Sequence, residues 1–356
     1  MSIETKDITV EKVKTSKIDQ VDFDNLAFGS VFTDHMLVCT YKNGAWEMPK
    51  IVPYQPIVLD PSSKIFHYGQ SIFEGMKAYK DKNDDVFLFR PLENFKRFNI
   101  SADRMCIPQI PQEYFMDGLT TLLNIDKDFI PTKDGSSLYI RPFMFASGNG
   151  FHASPANEYK FIIACAPSGA YFSGKVKVLI EERYSRSANG GVGFAKTGGN
   201  YAGQFYPTQL AVKKGYNQVI WTDDTNHEFI EEAGAMNIFI RINDTLLTGP
   251  TSDRILDGIT RKSILDIAKD QGIKTEVRKI TVKEVVEAAK DGSLKEMFGA
   301  GTAAVISPIS GFGYRDTDYE LPELENSFAQ SLKKTITDIQ YNKSEDKFGW
   351  RFKVEK

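Results

Sequence analysis

The stretch GFAKTGGNYAG (residues 193–203) sets one lysine among small residues. The chain as a whole is 26% charged, yet Lys196 is the only charged residue between Ser187 and Val212. The ordinary interpretation of a glycine-flanked lysine is a solvated surface loop. Such a loop usually keeps other charged residues, however, and the neighbouring runs VGFA and YAGQFY are too apolar for one. The segment therefore indicates a lysine with a chemical role.

Two chemical roles are open to this lysine. GGVGFAKT (190–197) nearly matches the phosphate-binding pattern GxxxxGK[ST], with Ala195 in place of the last glycine. That pattern needs a helix directly after the lysine, and the glycines of GGN (198–200) disfavour a helix there. The second role is that of a nucleophile. An amine removed from water and from anions loses its proton more readily and can form a Schiff base with a carbonyl group, while glycines let a flat ligand approach the backbone.

Composition excludes several classes of protein. The chain has 356 residues and a formal net charge of −3, which gives no reason to expect a nucleic acid or an anionic membrane as partner. The polar N-terminus predicts no signal peptide, and no run is long and apolar enough to predict a membrane span. The three cysteines form no CxxC pair and the four histidines are scattered. We therefore expect no disulfide framework, no metal site and a cytoplasmic location.

Strand and helix patterns are mixed in both halves of the chain, which predicts a mixed α/β (α+β) fold. Apolar, β-branched runs predict strands at 35–41, 85–91, 137–145, 160–167, 176–182, 218–224, 237–242 and 303–309. Helical spacing predicts helices at 91–105, 258–273, 282–292 and 324–341. Small and turn residues interrupt the pattern after residue 168. We predict a smaller N-terminal αβ domain at 1–169, a linker at 170–175 and a larger C-terminal cofactor-binding domain at 176–356.

Four further segments carry groups that could bind a ligand beside the lysine. EEAGAMNIF (231–239) holds a carboxylate pair just before a strand, and LDGITRKS (256–263) places main-chain N–H groups at a helix start, where they favour an anion. GAGTAAVIS (299–307) is a second candidate anion-binding turn. Arg90 ends an apolar strand, where a guanidinium is costly unless it has an anion to bind. Each segment alone has an ordinary structural explanation, such as helix capping.

Together these groups match an aldehyde cofactor such as pyridoxal phosphate. Its phosphate needs N–H and hydroxyl donors with a cation, and its pyridine nitrogen needs a carboxylate. A dinucleotide-binding oxidoreductase is a competing interpretation, because GAGTAA (299–304) fits the pattern GxGxxA. That pattern needs a helix next, whereas AVISPI is β-branched and then meets a proline, so we disfavour it.

In their order along the chain these segments resemble the branched-chain amino-acid aminotransferases, which are pyridoxal-phosphate enzymes of fold type IV. The resemblance is carried by FGSVFTDHML (28–37), HYGQSIFEGMKAYK (67–80), LFRP (88–91), LYIRP (138–142), GAYF (169–172), KTGGNY (196–201), EEAGAMNIF (231–239), GITR (258–261) and FGAGTAAVISP (298–308). An ordered set that covers nearly the whole chain is far more specific than any of its members. The resemblance implies a two-domain fold with the cofactor at the domain interface.

The resemblance also implies roles for residues that bind the cofactor. Lys196 would carry the Schiff base with pyridoxal 5′-phosphate and then transfer the proton. Tyr201 would donate to the cofactor's phenolic oxygen, and Glu232 would hold the pyridine nitrogen. The phosphate would be bound by Arg90, Ile259, Thr260 and Thr302. The roles of Glu231 and Arg186 are left open.

For substrates, the resemblance implies L-leucine, L-isoleucine and L-valine, transaminated reversibly with 2-oxoglutarate. The side-chain pocket would be lined by Phe28, Tyr68, Phe73, Tyr139 and Tyr171. Arg141 would take the distal carboxylate of glutamate, and the turn at Thr302 and Ala303 would bind the substrate's α-carboxylate. The loop GNGFHAS (148–154) lies where family members cover a partner's active site, which implies a homodimer. Other fold type IV enzymes, a D-amino-acid aminotransferase or an aminodeoxychorismate lyase, are the alternatives.

Overall fold

A computed structural model describes residues 8–169 and 176–355. The chain divides into two units, the first of Met1–Tyr171 with Ile339–Lys356 and the second of Phe172–Asp338. Each unit combines a β-sheet with helices, so the predicted mixed α/β fold class is confirmed. The predicted linker at 170–175 lies outside the described residues. In the parts of the chain that the structure describes, no helix is long and apolar enough to cross a membrane.

The first unit is built on a large sheet. Its strands are β1 (Thr9–Val10), β2 (His35–Lys42), β3 (Ala45–Trp46), β4 (Lys50–Pro53), β5 (Ser71–Phe73), β6 (Met76–Lys80), β7 (Val86–Phe89), β8 (Ser137–Ala146), β9 (Tyr159–Ser168) and the C-terminal β19 (Arg351–Lys353). Its helices are α1 (Lys64–Tyr68), α2 (Pro91–Arg104) and α3 (Gln112–Ile125). Among the described residues the sheet order is β1-β4-β2-β9-β8-β6-β7-β19, with β3 on β2 and β5 on β8.

An aromatic core joins the two long helices of this unit to the sheet. Phe98 of α2 and Phe115 of α3 are fully buried, and their ring centroids lie 5.5 and 5.7 Å from that of Phe161 on β9. Such offset and tilted aromatic pairs add to the free energy gained from burying their apolar area. The strand predictions at 35–41, 137–145 and 160–167 and the helix prediction from Pro91 are confirmed.

The first unit differs from the sequence-based description in several parts. Helices α1 and α3 and the short strands β1, β3, β4, β5 and β6 were not predicted. Residues 339–356, which the sequence analysis assigned to the second domain, belong to the first unit. The physical reason is sheet pairing, because β19 lies antiparallel to β7 with Phe352 opposite Leu88.

The second unit carries the other strands and helices. Its strands are β10 (Val176–Ile180), β11 (Gln218–Thr222), β12 (Ile230–Ala233), β13 (Met236–Ile242), β14 (Thr245–Thr248), β15 (Lys274–Val277), β16 (Leu294–Gly301), β17 (Val305–Tyr314) and β18 (Thr317–Glu320). Its helices are α4 (Gly198–Ala202), α5 (Phe205–Lys213), α6 (Ile259–Asp270), α7 (Val282–Asp291) and α8 (Phe328–Gln340), of which the last two residues belong to the first unit. The predicted helices at 258–273 and 282–292 are confirmed to within a few residues.

The sheet of the second unit curls into a ring. Among the described residues its order is β12-β11-β10-β17-β16-β13-β14-β15, and β12 also pairs with β13. This extra pairing closes β10, β11, β12, β13, β16 and β17 on themselves, and closure removes exposed strand edges. Glu232 of β12 lies opposite Asn237 of β13, and Asn237 lies opposite Ala300 of β16. The closing pair of strands therefore carries the second glutamate of the EE motif.

Candidate active site

The loop before Lys196 is held against the segment around Arg254. Asn200 donates to the carbonyl oxygens of Val192 (2.8 Å) and Ala195 (2.9 Å), which folds the loop back onto α4. A Cβ atom built on Gly193 would lie 2.6 Å from the carbonyl carbon of Arg254, closer than real Cβ contacts come. Glycine is thus required at 193 by the close approach of two backbones.

Our expectation that GGN disfavours a helix after Lys196 is wrong. Helix α4 begins at Gly198 with Thr197 as N-cap residue. Both glycines lie in the first turn of a five-residue helix, where their low helix propensity matters less than in a helix interior. The structure therefore removes one of the sequence arguments against a phosphate-binding loop.

Lys196 and Tyr201 meet directly. The Lys196 Nζ atom donates to Tyr201 Oη over 2.6 Å, and it lies 5.1 Å from the centre of the Tyr201 ring. The start of α4 lies between the two residues, and the turn that begins the helix at Gly198 brings Tyr201 back towards Lys196. The lysine is half-buried. Lys196 has no charged neighbours in sequence, but it has one in space. Its ammonium group acts electrostatically on the Glu232 carboxylate.

Glu232 is a buried carboxylate with several partners. It is 2% exposed, and its Oε1 atom accepts from the Leu256 N–H (3.1 Å) and from Asn237 Nδ2 (3.2 Å). Its Oε2 atom lies 2.8 Å from Arg186 Nε. Burial raises the pKa of Glu232 to about 7, against the opposing effects of the Arg186 guanidinium, the Leu256 N–H and the Lys196 ammonium. A carboxyl group with a pKa near 7 can be protonated or ionised at neutral pH, so its charge can respond to a charged group that binds beside it.

Arg186 is a site residue whose role the sequence left open. Its Nη1 atom donates to the Arg254 carbonyl oxygen over 2.7 Å, and its Nη2 atom to the Gly193 carbonyl oxygen over 3.2 Å. One guanidinium thus joins Glu232, the lysine loop and the segment around Arg254. Little in the local sequence YSRSANG could have revealed this contact, because it depends on the folded chain.

The two neighbouring glutamates have different partners. Glu231 is 5% exposed and pairs with Arg254 Nε, while Arg254 Nη1 also reaches Asp224 over 3.0 Å. Burial raises the pKa of Glu231, and Arg254 opposes that rise. Arg254 and Asn237 are therefore further residues of the site that the sequence analysis did not single out. Because the two glutamates pair with different arginines, a substitution at Glu231 can serve as the control for the same substitution at Glu232.

The raised pKa of Glu232 predicts a pH-dependent stability for the protein prepared without cofactor. Between its ordinary value of 4.5 and about 7, the folded protein keeps a proton at Glu232 that the unfolded chain has lost. The contribution of Glu232 to the free energy of unfolding is thus complete below pH 4.5, and it decreases as the pH rises from 4.5 through 7. Relative to Glu232→Gln, the free energy of unfolding of the parent should fall by about 3 kcal/mol across this window. Urea unfolding at a series of pH values tests this, and parallel profiles would contradict it.

The start of α6 lies beside Glu232. The Leu256 carbonyl oxygen accepts from Asn237 Nδ2 (2.9 Å), and the helix begins three residues later at Ile259. Ile259 and Thr260 are both buried, and the N-cap residue Gly258 has no side chain to accept from their N–H groups. First-turn N–H groups of this kind favour an anion.

Thr302 and Ala303 lie at the same end of the strand ring as Glu232. They belong to the turn between β16 and β17. This turn follows closely after Ala300 of β16, which lies opposite Asn237 of β13. Val305, which ends the turn, has a φ of 60°. A β-branched residue rarely adopts this left-handed conformation, and such strain is typical of ligand-binding turns.

Four of the predicted pocket residues form one cluster in the first unit. Phe28 lies edge-to-face against Tyr139, with ring centroids 4.7 Å apart. Arg141 Nη2 donates to Tyr139 Oη over 3.0 Å, and the Arg141 guanidinium lies 4.6 Å from the centre of the Phe73 ring. Phe73 and Arg141 line a cavity of about 530 Å³, a size that suits a small ligand. The cluster thus combines aromatic surface with one guanidinium.

The other residues predicted in this half lie elsewhere in the first unit or outside the described residues. The Tyr68 hydroxyl donates to the Phe151 carbonyl oxygen, so Tyr68 contacts the loop 148–154. Arg90 precedes α2 with a φ of 51°, and its guanidinium lies 4.9 Å from the centre of the Trp350 ring. Tyr171 lies outside the described residues.

Comparison with known proteins identifies the family. Residues 71–312 match the family described as amino-transferase class IV. The chain belongs to the class IV aminotransferases. It is 44% identical over 352 residues to branched-chain-amino-acid aminotransferase 2 of Bacillus subtilis (strain 168), covering 98% of this chain and 97% of that relative. The resemblance to the branched-chain amino-acid aminotransferases is therefore confirmed.

Two solved structures of branched-chain aminotransferases share the fold of this class IV enzyme. That from the archaeon Thermoproteus uzoniensis, with norvaline, has a TM-score of 0.75 and 25% identity and covers 90% of this chain and 100% of its own. The T.th. enzyme, complexed with N-(5′-phosphopyridoxyl)-L-glutamate, has a TM-score of 0.71 and 25% identity, covering 89% and 98%. The predicted fold type IV is thus confirmed.

The cofactor of the class IV aminotransferases is pyridoxal 5′-phosphate. The donor set of the second unit fits this group. It offers an amine at Lys196, a buried carboxylate at Glu232 and first-turn N–H groups at Ile259 and Thr260. These supply a partner for an aldehyde, for a protonated pyridine nitrogen and for a phosphate.

Proposed function

We propose that this protein catalyses the reversible transamination of L-leucine, L-isoleucine and L-valine with 2-oxoglutarate, giving branched-chain 2-oxo acids and L-glutamate. The observation that carries the proposal is the cluster of Phe28, Phe73, Tyr139 and Arg141 in the first unit. The 44% identity to a branched-chain-amino-acid aminotransferase supports the same substrates.

This cluster addresses a problem of specificity. One pocket must take the apolar side chain of leucine in one half-reaction and the carboxylate of glutamate in the other. Aromatic rings provide apolar surface, and a guanidinium offers donors in a planar fork that matches a carboxylate. Arg141 stacks on Phe73 and donates a hydrogen bond to Tyr139, so its guanidinium lies against the aromatic surface in a defined orientation.

Except for Arg90, which we propose from the family resemblance, the proposed cofactor-binding residues belong to the donor set of the second unit. Glu232 holds the proton at the pyridine nitrogen, and Arg186 and Asn237 keep its carboxylate in place. Tyr201 donates to the phenolic oxygen. The phosphate is bound by Arg90, Thr302 and the N–H groups of Ile259 and Thr260.

Lys196 is the proposed acid–base group. When bound, pyridoxal phosphate supplies an electron sink for the charge that is left when the substrate loses its Cα proton. Lys196 Nζ takes that proton and returns it, and the 2.6 Å hydrogen bond to Tyr201 Oη fixes where Nζ lies. The N–H groups at Thr302 and Ala303 hold the α-carboxylate, which orients the Cα–H bond for this transfer.

A spectroscopic titration tests the proposed function. We expect the purified protein loaded with pyridoxal phosphate to show a visible absorption band that L-leucine bleaches and 2-oxoglutarate restores. The two additions measure the two half-reactions separately. D-Alanine should leave the band unchanged.

The contrary outcomes are informative. Bleaching by D-alanine but not by L-leucine would indicate a D-amino-acid aminotransferase. Elimination of pyruvate from aminodeoxychorismate, with no response to 2-oxoglutarate, would indicate the lyase. Either result would leave the family and the fold intact and overturn the proposed substrates.

We also propose a homodimer in the cytoplasm. Phe66 on α1 and Phe151 in the loop 148–154 are 61% and 70% exposed, and exposed aromatic side chains on adjoining segments are a feature of protein–protein interfaces. The three cysteines are unpaired, as is usual in a reducing compartment. Analytical ultracentrifugation tests the dimer, and a monomer at micromolar concentration would contradict it.

A further inference from the structure

Gly75 leaves room for the hydroxyl group of Tyr139. A Cβ atom built on Gly75 would lie 3.2 Å from Tyr139 Cζ and closer still to Tyr139 Oη, nearer than real Cβ contacts come. The φ of Gly75 lies outside the left-handed region, so its backbone conformation is open to other residues. Space, and not backbone conformation, is therefore what the structure requires of glycine at this position.

The Tyr139 hydroxyl in turn orients Arg141. Arg141 Nη2 donates to Tyr139 Oη over 3.0 Å, and the guanidinium stacks on Phe73 and lies 5.2 Å from the centre of the Tyr139 ring. Any displacement of Oη thus moves the acceptor that fixes one end of the guanidinium. Phe28, packed against the ring of Tyr139, limits where that ring can move.

A buried ion pair fixes the main chain at Gly75. Glu74 is fully buried and accepts from Arg97 Nε (2.7 Å) and Nη2 (2.9 Å). Asn94 Nδ2 bonds both the Glu74 carboxylate (2.8 Å) and the Gly75 carbonyl oxygen (3.3 Å). Breaking such a buried pair is costly. The peptide at 74–75 is thereby tied to α2, and a side chain added at 75 must displace Tyr139 rather than the backbone.

We propose that Gly75 is a specificity-determining residue, which holds Arg141 in the orientation that accepts the distal carboxylate of glutamate and 2-oxoglutarate. It acts through Tyr139 and is a positioning residue. The inference rests on the proposed function, since it assumes that Arg141 binds that carboxylate. Branched aliphatic side chains have no polar group for Arg141 to bind, so Gly75 matters less to them.

The test compares kcat/KM for the two substrates in the holoenzyme. Gly75→Ala should lower kcat/KM for 2-oxoglutarate about tenfold, the effect of one misplaced charge-assisted hydrogen bond, and that for L-leucine by less than about threefold. Gly249→Ala is the matched control, because its Cβ would meet Ile255 Cδ1 at an ordinary 3.5 Å. We expect parent values for it with both substrates.

A second variant keeps the test decisive if Gly75→Ala does not fold. Tyr139→Phe removes the hydroxyl that orients Arg141, and it should give the same selective loss with 2-oxoglutarate. The double variant should lose little more than Tyr139→Phe alone, because the hydroxyl oxygen, which the new Cβ would approach most closely, is gone. Equal losses with both substrates, or no loss with 2-oxoglutarate in either variant, would overturn the inference. If the parent itself reacts with neither substrate, the proposed function fails instead.

Discussion

Lys196→Ala is expected to lower kcat for transamination on the order of 10⁴-fold and to abolish covalent attachment of pyridoxal phosphate. The amine is the group that Tyr201 positions over 2.6 Å, and no second lysine is in this loop to replace it. Borohydride reduction followed by peptide mass mapping measures attachment. The parent should carry the cofactor on the peptide that contains residue 196, and the variant should carry it on none.

Lys213→Ala provides the matched control for this variant. Lys213 is an exposed residue in the last turn of α5, so removing its amine tests for a general effect of lost charge. It should retain the parent's kcat and cofactor attachment. A Lys196→Ala protein that still turned over substrate within tenfold of the parent would show that another group moves the proton.

Much of the site could be predicted because its signals are local in sequence. Lys196 and Tyr201 lie five residues apart, on either side of the start of α4, and Glu232 belongs to a carboxylate pair that directly precedes an apolar run. The start of α6 could also be predicted from the sequence, since a glycine before a helical pattern marks the N-terminus of a helix. Such features depend on short-range geometry, which one sequence displays directly.

The remaining contacts depend on chain segments that meet only after folding. Arg186 and Glu232 are separated by 46 positions along the chain, and no periodicity relates them. The same is true of Gly75 and Tyr139, whose fit is a matter of shape rather than of residue type. Strand β19 was missed for a related reason, because three residues at the C-terminus carry too weak a pattern without β7 beside them.

Glu232→Gln is expected to lower kcat/KM for L-leucine about 10³-fold while the cofactor stays attached to the protein. An amide keeps the shape of the carboxylate and can still accept from the Leu256 N–H, but it cannot balance a proton at the pyridine nitrogen. The electron sink is then weakened without loss of the binding site. Stopped-flow measurement of bleaching by L-leucine gives the rate, and the parent and variant spectra before addition report cofactor occupancy.

Glu231→Gln separates this effect from a general loss of negative charge. Both glutamates are buried, yet Glu231 pairs with Arg254 and Glu232 with Arg186, so the two variants remove the same charge from neighbouring positions with different partners. We expect the activity of Glu231→Gln to fall by less than about tenfold, which corresponds to a weakened ion pair rather than to a lost partner of the cofactor. If the two variants lost activity equally, the charge balance at the pyridine nitrogen could not be assigned to Glu232. A large loss in Glu231→Gln alone would transfer that role to its neighbour.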